Sequence, residues 1–264
     1  MATVKEIYTY LDQLAPFSLQ MDFDNSGFLV GRGEAEVKKL MIALDITNDV
    51  VAEAREASCD LIISHHPIIF HPAKAITDAE PTGSCILSLI ENHIAAICAH
   101  TNLDVAEYGV NDALAQALQL TELSVLHQEG VDHQGKPYGI GRIGTVARHM
   151  TAKDFSLQVQ NQLHAFGLRL EDAGRPVKKV AVGGGACGEY LFEAAQKGCD
   201  TFVTSDVKYN TFLDARALGI NLIDAGHFST ENVICPILSQ WITAKFPGIE
   251  TMISQNHKEV FSCI

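Results

Sequence analysis

Laid on itself with a shift of 140 positions, this chain repeats a strand, a helix and a second strand in the same order and without a gap. Lys38-Lys39-Leu40-Met41-Ile42 falls on Lys178-Lys179-Val180-Ala181-Val182, and Glu53-Ala54 on Glu193-Ala194. Cys59-Asp60 falls on Cys199-Asp200, and Ile62-Ile63-Ser64 on Phe202-Val203-Thr204. Short β-branched runs separated by an amphipathic stretch read as a βαβ unit with parallel strands. Its double use predicts an α/β fold of two similar αβα lobes from an internal duplication, with mostly parallel sheets covered by helices. At 264 residues the chain is long enough for each lobe to hold its own core.

Around the repeat the chain follows the same alternation. Val4, Ile7, Leu11 and Leu14 stand at helical spacing behind a Thr3/Glu6 capping box. A helix follows over 49–57, a second near 84–92, a strand over 94–99 and a helix over 110–118. From Leu126 to Gly144 the chain turns polar, with Gly130, Gly135, Gly139, Gly141 and Gly144, and reads as a crossing between lobes. Beyond it come a helix from Thr151, a strand at 221–226, a helix running from about Ser229 to Trp241, and a final strand at 250–254. The first lobe is expected to take residues 1–125 plus 228–264 and the second 126–227, with a metal site in the cleft between them.

The metal reading starts at Leu61-Ile62-Ile63-Ser64-His65-His66-Pro67. A buried strand ends in two adjacent imidazoles, and Pro67 stops the ladder. Neighbours on a strand point to opposite faces, so such a pair is poorly placed to grip one ion and better placed to serve two side by side. A His-His pair in a loop is ordinarily polar surface; here both flanks are strongly apolar. Two further strands end in a His with a carboxylate four residues on: His100 with Asp104, and His227 with Glu231. In α/β sheets ligands gather beyond the carboxyl ends of strands, where all of these fall. His65, His66, Asp104, His227 and Glu231 supply nitrogen and oxygen without thiolate. That mixture suits two divalent metal ions drawn from Zn, Fe, Mn or Ni, about 3.5–4 Å apart with a bridging carboxylate, and disfavours Ca or Mg.

Other motifs carry less. Asp24-Asn25 reads as turn chemistry. Gly183-Gly184-Gly185-Ala186-Cys187-Gly188 lies where backbone amides can cradle a phosphate, but it matches no nucleotide fingerprint and a tight packing turn serves equally. Asp60 and Asp206 either orient ligands or cap turns, Lys208 is a solvated lysine or an anion contact, and the remaining histidines read as ordinary. The net charge of −13 argues against a nucleic-acid partner. Seven cysteines with no Cys-x-x-Cys pair, no apolar signal region and no membrane-length apolar run point to a reduced, cytoplasmic protein.

His65-His66-Pro67, the stretch from His100 to Asp104, Thr204-Ser205-Asp206-Val207-Lys208-Tyr209 and Ala225-Gly226-His227-Phe228-Ser229-Thr230-Glu231 together resemble the signature blocks of the dinuclear metal-centre family. That family is also called the GTP cyclohydrolase I type 2 homologues, or NIF-three-like proteins. Asp24-Asn25-Ser26-Gly27 resembles its N-terminal block. The resemblance implies two metals held by the five residues above and His100 beside them, as a catalytic neighbour or an occasional ligand. It also implies a ring-shaped homohexamer with the metals facing its cavity. Ser205, Phe23, Asn210 and Phe228 stand where the family commonly has Gly, Trp, His and Tyr; none of these removes a ligand. The activity implied is metal-dependent hydrolysis, with nucleotides as the leading substrate class. A non-enzymatic metal-binding hexameric scaffold or metal-handling protein, and a binuclear phosphoesterase, are the alternatives.

Overall fold

The computed structural model describes residues 2–262. They form two compact units, one of residues 2–106 with 235–258 and one of residues 107–234 with 259–262.

The first unit opens with β1 (Ala2–Thr3) and α1 (Val4–Leu14). Thr3 caps α1 as expected: its hydroxyl accepts from the N–H of Glu6, whose carboxylate accepts from the Thr3 N–H. Losing such a cap costs about 1 kcal/mol. Next come β2 (Gly27–Val30), β3 (Glu36–Val37), β4 (Lys39–Ala43), α2 (Asn48–Glu56) and β5 (Leu61–Ser64). Then follow α3 (Pro81–Glu91), β6 (Ala95–Cys98) and the short α4 (Thr101–Val105). The end of the chain returns with α10 (Ile234–Lys245) and β13 (Glu250–Ile253). The sheet order is β13-β4-β5-β6-β2, parallel except at β2, while β1 and β3 form a separate antiparallel pair. Alternate strand residues Met41, Ala43, Ile62 and Ala96 pack with Val50, Val51 and Ala54 of α2 and Cys85, Ile86 and Leu89 of α3. Ile62 and Ile63 are fully buried; truncating either to Ala would cost about 2–5 kcal/mol.

In the second unit, α5 (Val110–Ala117) leads into β7 (Thr121–Val131) and β8 (Pro137–Met150). These are followed by α6 (Ala152–Leu163), β9 (Arg169–Glu171), β10 (Val177–Val182), α7 (Leu191–Gln196) and β11 (Thr201–Thr204). Last come α8 (Tyr209–Leu218), β12 (Asn221–Asp224) and α9 (His227–Glu231). The six-stranded sheet runs β7-β8-β10-β11-β12-β9. Its middle strands β10, β11 and β12 are parallel, and both flanks are antiparallel. Val180, Val182, Val203 and Ile223 face α5 and α6, whereas Ala181, Phe202 and Leu222 face Leu191 and Ala194 of α7 and Ala215 of α8. The period-two alternation of the strands thus builds an αβα sandwich.

The polar, glycine-rich segment 126–144 is not a crossing. It lies in the long β7–β8 hairpin, whose irregular register accommodates the glycines. A Cβ at Gly139, which has φ +155, would stand 2.0 Å from the His127 carbonyl. The chain enters the second unit at Glu107, upstream of the expected 126, because Leu114 and Ala115 of α5, and Leu118 just beyond it, are buried in that unit's core.

The shift of 140 holds in the backbone pairing. Leu40 pairs with Leu61 as Val180 pairs with Thr201. The Asp60 carboxylate accepts from the N–H groups of Lys38 and Lys39 at 2.7 and 3.1 Å, and Asp200 does the same for Lys178 and Lys179. Both aspartates therefore cap strand starts and lie at the amino ends of their sheets. Among the described residues no helix is long and apolar enough to cross a membrane.

Candidate metal centre

Three histidines of the first unit come together beyond the carboxyl ends of β5 and β6. The chain leaves the β5 ladder at Ser64, whose hydroxyl donates to the His66 carbonyl at 2.8 Å, and the His66 N–H donates to the Leu44 carbonyl. This bend turns the two neighbouring rings toward one region, with centroids 5.0 Å apart, instead of to opposite faces as on a continuing strand. His100 sits at the N-terminal cap of α4, its ring centroid 5.1 Å from that of His65 and 5.4 Å from that of His66. One ring nitrogen from each of the three lies within 4.8 Å of the others.

Each ring is held by its Nδ1. His65 Nδ1 meets the Ala99 carbonyl, His66 Nδ1 the Asp45 carboxylate and His100 Nδ1 the Asp24 carboxylate, all at 2.8 Å. An acceptor at Nδ1 fixes the proton there and leaves Nε2 as the ring atom with the ligating lone pair. Asp104 Oδ1 stands 3.6 Å from His65 Nε2, so the carboxylate of α4 joins the same group.

Asp24 proves more than turn chemistry. Besides His100 it accepts from the Ser26 hydroxyl at 2.7 Å and from both the N–H and the hydroxyl of Thr101. Burial pushes its carboxyl up, but these hydrogen bonds and the His100 imidazole outweigh that and hold it well below the usual carboxylate range. Asp45, which motif reading passes over, and Asp24, which it takes as turn chemistry and part of an N-terminal block, each hold one of the candidate rings. The available signal was position: Asp45 follows β4 at the same sheet end as the histidines, and Asp24 is the acid of an Asp-x-Ser turn.

In the second unit His227 and Glu231 open and close α9, and His227 Nε2 lies 3.0 Å from Glu231 Oε2. The Asp206 carboxylate takes His227 Nδ1 at 2.8 Å, the same support given to His66 and His100. Asp206 follows β11 and has φ +51, a left-handed conformation that Asp tolerates better than most residues. Glu231 is 3% exposed. The glycine loop after β10 makes room for it: a Cβ on Gly185 would stand 2.1 Å from Glu231 Oε1.

That loop is a packing turn and not a phosphate cradle. The Gly184 N–H donates to Asn111 Oδ1, the Gly185 N–H to Thr230 Oγ1 and the Cys187 N–H to Thr204 Oγ1. These three amides are thus spent within the unit, one of them on Thr230, the neighbour of Glu231. Lys208 is exposed at the start of α8.

Imidazole Nε2 atoms backed by carboxylates or a carbonyl, joined by carboxylate oxygens, are the donor chemistry of Zn, Fe, Mn or Ni. No cysteine among the described residues belongs to these groups. The residues present therefore fit a divalent ion.

The sequence model of Duf34/NIF3 (NGG1p interacting factor 3) matches residues 2–259. The chain is 36% identical over 259 residues to the GTP cyclohydrolase 1 type 2 homolog of Clostridium acetobutylicum, covering 96% of each protein. It is 31% identical over 263 residues to the protein of that name from Clostridium perfringens, covering 99% of each. Among solved structures it resembles the Bacillus cereus protein related to NIF3, with a TM-score of 0.93 at 27% identity, covering 100% of this chain and 99% of that one. A Staphylococcus aureus protein superposes with a TM-score of 0.92 at 31% identity, covering 99% of each chain. With nearly its whole length matched in sequence and in fold, the chain belongs to the Duf34/NIF3 family.

Proposed function

We propose that the protein binds two divalent metal ions through His65, His66, Asp104, His227 and Glu231, and that it is a metal-dependent hydrolase acting on a nucleotide or a related substrate. The single observation that carries the metal part is the common posture of the imidazoles. His65, His66, His100 and His227 all rest Nδ1 on an acceptor at 2.8 Å, which aligns Nε2 as ligand. His127 also rests Nδ1 on a carboxylate, that of Glu193, so the posture counts here because it is joined to convergence: one ring nitrogen each of His65, His66 and His100 lies within 4.8 Å of the others. The nucleotide part is supported by the name of the Clostridium relatives, GTP cyclohydrolase 1 type 2 homolog.

When bound, such a pair of ions polarises a substrate oxygen or nitrogen and lowers the pKa of water toward neutrality. The chain's own contribution is orientation and proton handling. Asp45, Asp206 and the Ala99 carbonyl fix three ligand rings. Asp24 keeps its charge and holds His100 so that Nε2 can accept the proton released as water attacks. A homohexamer in the cytoplasm belongs to the same reading.

Elemental analysis of the purified protein, followed by a turnover screen on GTP and other nucleotides, tests it. The expected result is close to two ions per chain and turnover that disappears in His66→Ala and Glu231→Gln while the far-ultraviolet circular dichroism is unchanged. Bound metal with no turnover on any nucleotide would remove the hydrolase and leave a metal-binding protein; a metal-free protein that cannot be loaded would remove both.

A further inference from the structure

Two large aromatic side chains stand in water beside the histidine cluster of the first unit. Phe23 is 66% exposed and Phe70 39% exposed, with ring centroids 6.4 Å apart and planes tilted by 55°. Phe70 is in turn 6.1 Å from the His100 ring, edge to face. A lone exposed aromatic needs no explanation, but a pair adjoining a candidate metal centre marks a surface kept for something flat and apolar.

The pair is built in. Phe23 lies on the turn whose next residue, Asp24, holds His100 and Thr101. The following residue, Asn25, donates from Nδ2 to the carbonyl of Ile69 at 2.5 Å, which ties that turn to the residue before Phe70. Ile68 is buried among Val30, Met41, Ala43 and Ile62, anchoring the other side. The backbone that carries both rings is therefore held near His100 by the same turn whose Asp24 orients the imidazole. Such rigidity lowers the entropy lost when a ligand ring is ordered against them.

We infer that Phe23 and Phe70 form a stacking wall for a planar heteroaromatic ring of the substrate, the part a nucleobase would supply, beside the histidine cluster. The inference rests on the metal-centre reading above and names the substrate feature that this side of the site recognises. A phosphate is the wrong occupant for the wall, because Asp22 and Asp24 flank Phe23 in sequence and put negative charge next to it. A neutral base meets no such repulsion, and its face stacks on phenylalanine whatever its edge pattern.

The test measures equilibrium binding of guanosine, adenosine and ribose 5-phosphate to the purified full-length protein, with its metal content recorded, by titration calorimetry or ligand-observed nuclear magnetic resonance. Both nucleosides are expected to bind and ribose 5-phosphate to bind more weakly. Phe23→Ala and Phe70→Ala should each weaken nucleoside binding by roughly ten- to hundredfold with metal content unchanged, and Phe23→Trp should retain it. Nucleoside binding that ignores both alanine variants overturns the wall, as does the absence of nucleoside binding to the wild type. A fall in oligomeric mass in the alanine variants with nucleoside affinity intact also overturns it, by assigning the patch to contact between copies. Ring-dependent binding without turnover would keep the wall and remove the hydrolase; nucleotide turnover with an unchanged KM in the alanine variants would keep the hydrolase and remove the wall.

Discussion

The carboxylate of Glu231 occupies the space that a side chain on Gly185 would need, Oε1 lying 2.1 Å from where the Cβ would be. Gly185 also has φ +64, so an L-residue there is strained before any clash. Gly185→Ala is therefore expected to lower stability by about 1–2 kcal/mol and, separately, to push the Glu231 carboxylate away from His227. Elemental analysis of the folded variant should show less bound metal. Full metal content would mean that Glu231 is not a ligand.

Asp206 is more than half exposed and supports His227 through one hydrogen bond. Asp206→Ala should lower stability by about 1 kcal/mol in urea, since Ala tolerates φ +51 less well, and weaken metal binding by about 10- to 100-fold, the usual cost of losing the partner of a ligating imidazole. Asp206→Asn keeps an acceptor oxygen and a residue tolerant of φ +51, so it should fall between the two. Competition with a chelating dye reads the order; equal affinities across the three proteins would contradict it.

The buried ion pair between α5 and β8 supports the fold of the second unit. Arg142 donates to both Asp112 oxygens at 2.7 and 3.0 Å and to the carbonyls of Gly139 and Gly141. Asp112→Ala strands a guanidinium that is only 5% exposed, and should cost about 3–5 kcal/mol in chemical denaturation. The double variant Asp112→Ala/Arg142→Met should recover part of that loss, since no charge is then left buried.

Acid should weaken the first unit in two steps. Burial pushes the His257 imidazole below its ordinary value, and its Nδ1 accepts the Leu44 N–H at 2.8 Å, which only the unprotonated nitrogen can do. For a base with a lowered folded pKa the unfolded chain binds the extra proton first. Its contribution is complete above about pH 6.5 and is lost as pH falls below that. Glu53 acts at lower pH. Burial raises its carboxyl, but donation from the Gln255 N–H, the Ser254 hydroxyl and the Asn256 N–H outweighs this and leaves it lowered. Its contribution is present above about pH 4.5 and disappears as pH falls through the folded value. Denaturation midpoints of His257→Gln and Glu53→Gln against pH should each lose only the corresponding step. An unchanged wild-type profile in either variant would show that the group does not couple to folding.

How much of this was legible in advance depended on whether the signal was local. The helix at Val4–Leu14 and its cap, the strands carrying Leu40 and Ile62, and the βαβ repeat all rest on contacts within a few residues or on period-two burial, and a sequence displays both. The same holds for His65, His66, His100 and His227 as candidates, because each follows a strand end. The hairpin at 121–150 was misread because its pairing joins Thr121 to Thr145, and glycines that suggest a loop are there demanded by close backbone approach. The helix expected to run from about Ser229 to Trp241 is divided into α9 and α10, so that His227 and Glu231 sit on a short turn of their own.

The chain order of residues alone determined the α/β class and singled out the candidate donors, since these follow from side-chain periodicity and chemistry at strand ends. Only the folded structure decided which acids serve those donors. Asp24 reaches His100 across 76 positions and Asp45 reaches His66 across 21, whereas Asp60, adjacent to a strand and equally acidic, is spent on backbone amides at the opposite end of its sheet. A hydrogen bond is settled within about 3 Å in space, and distance along a sequence does not encode that until the sheet has formed.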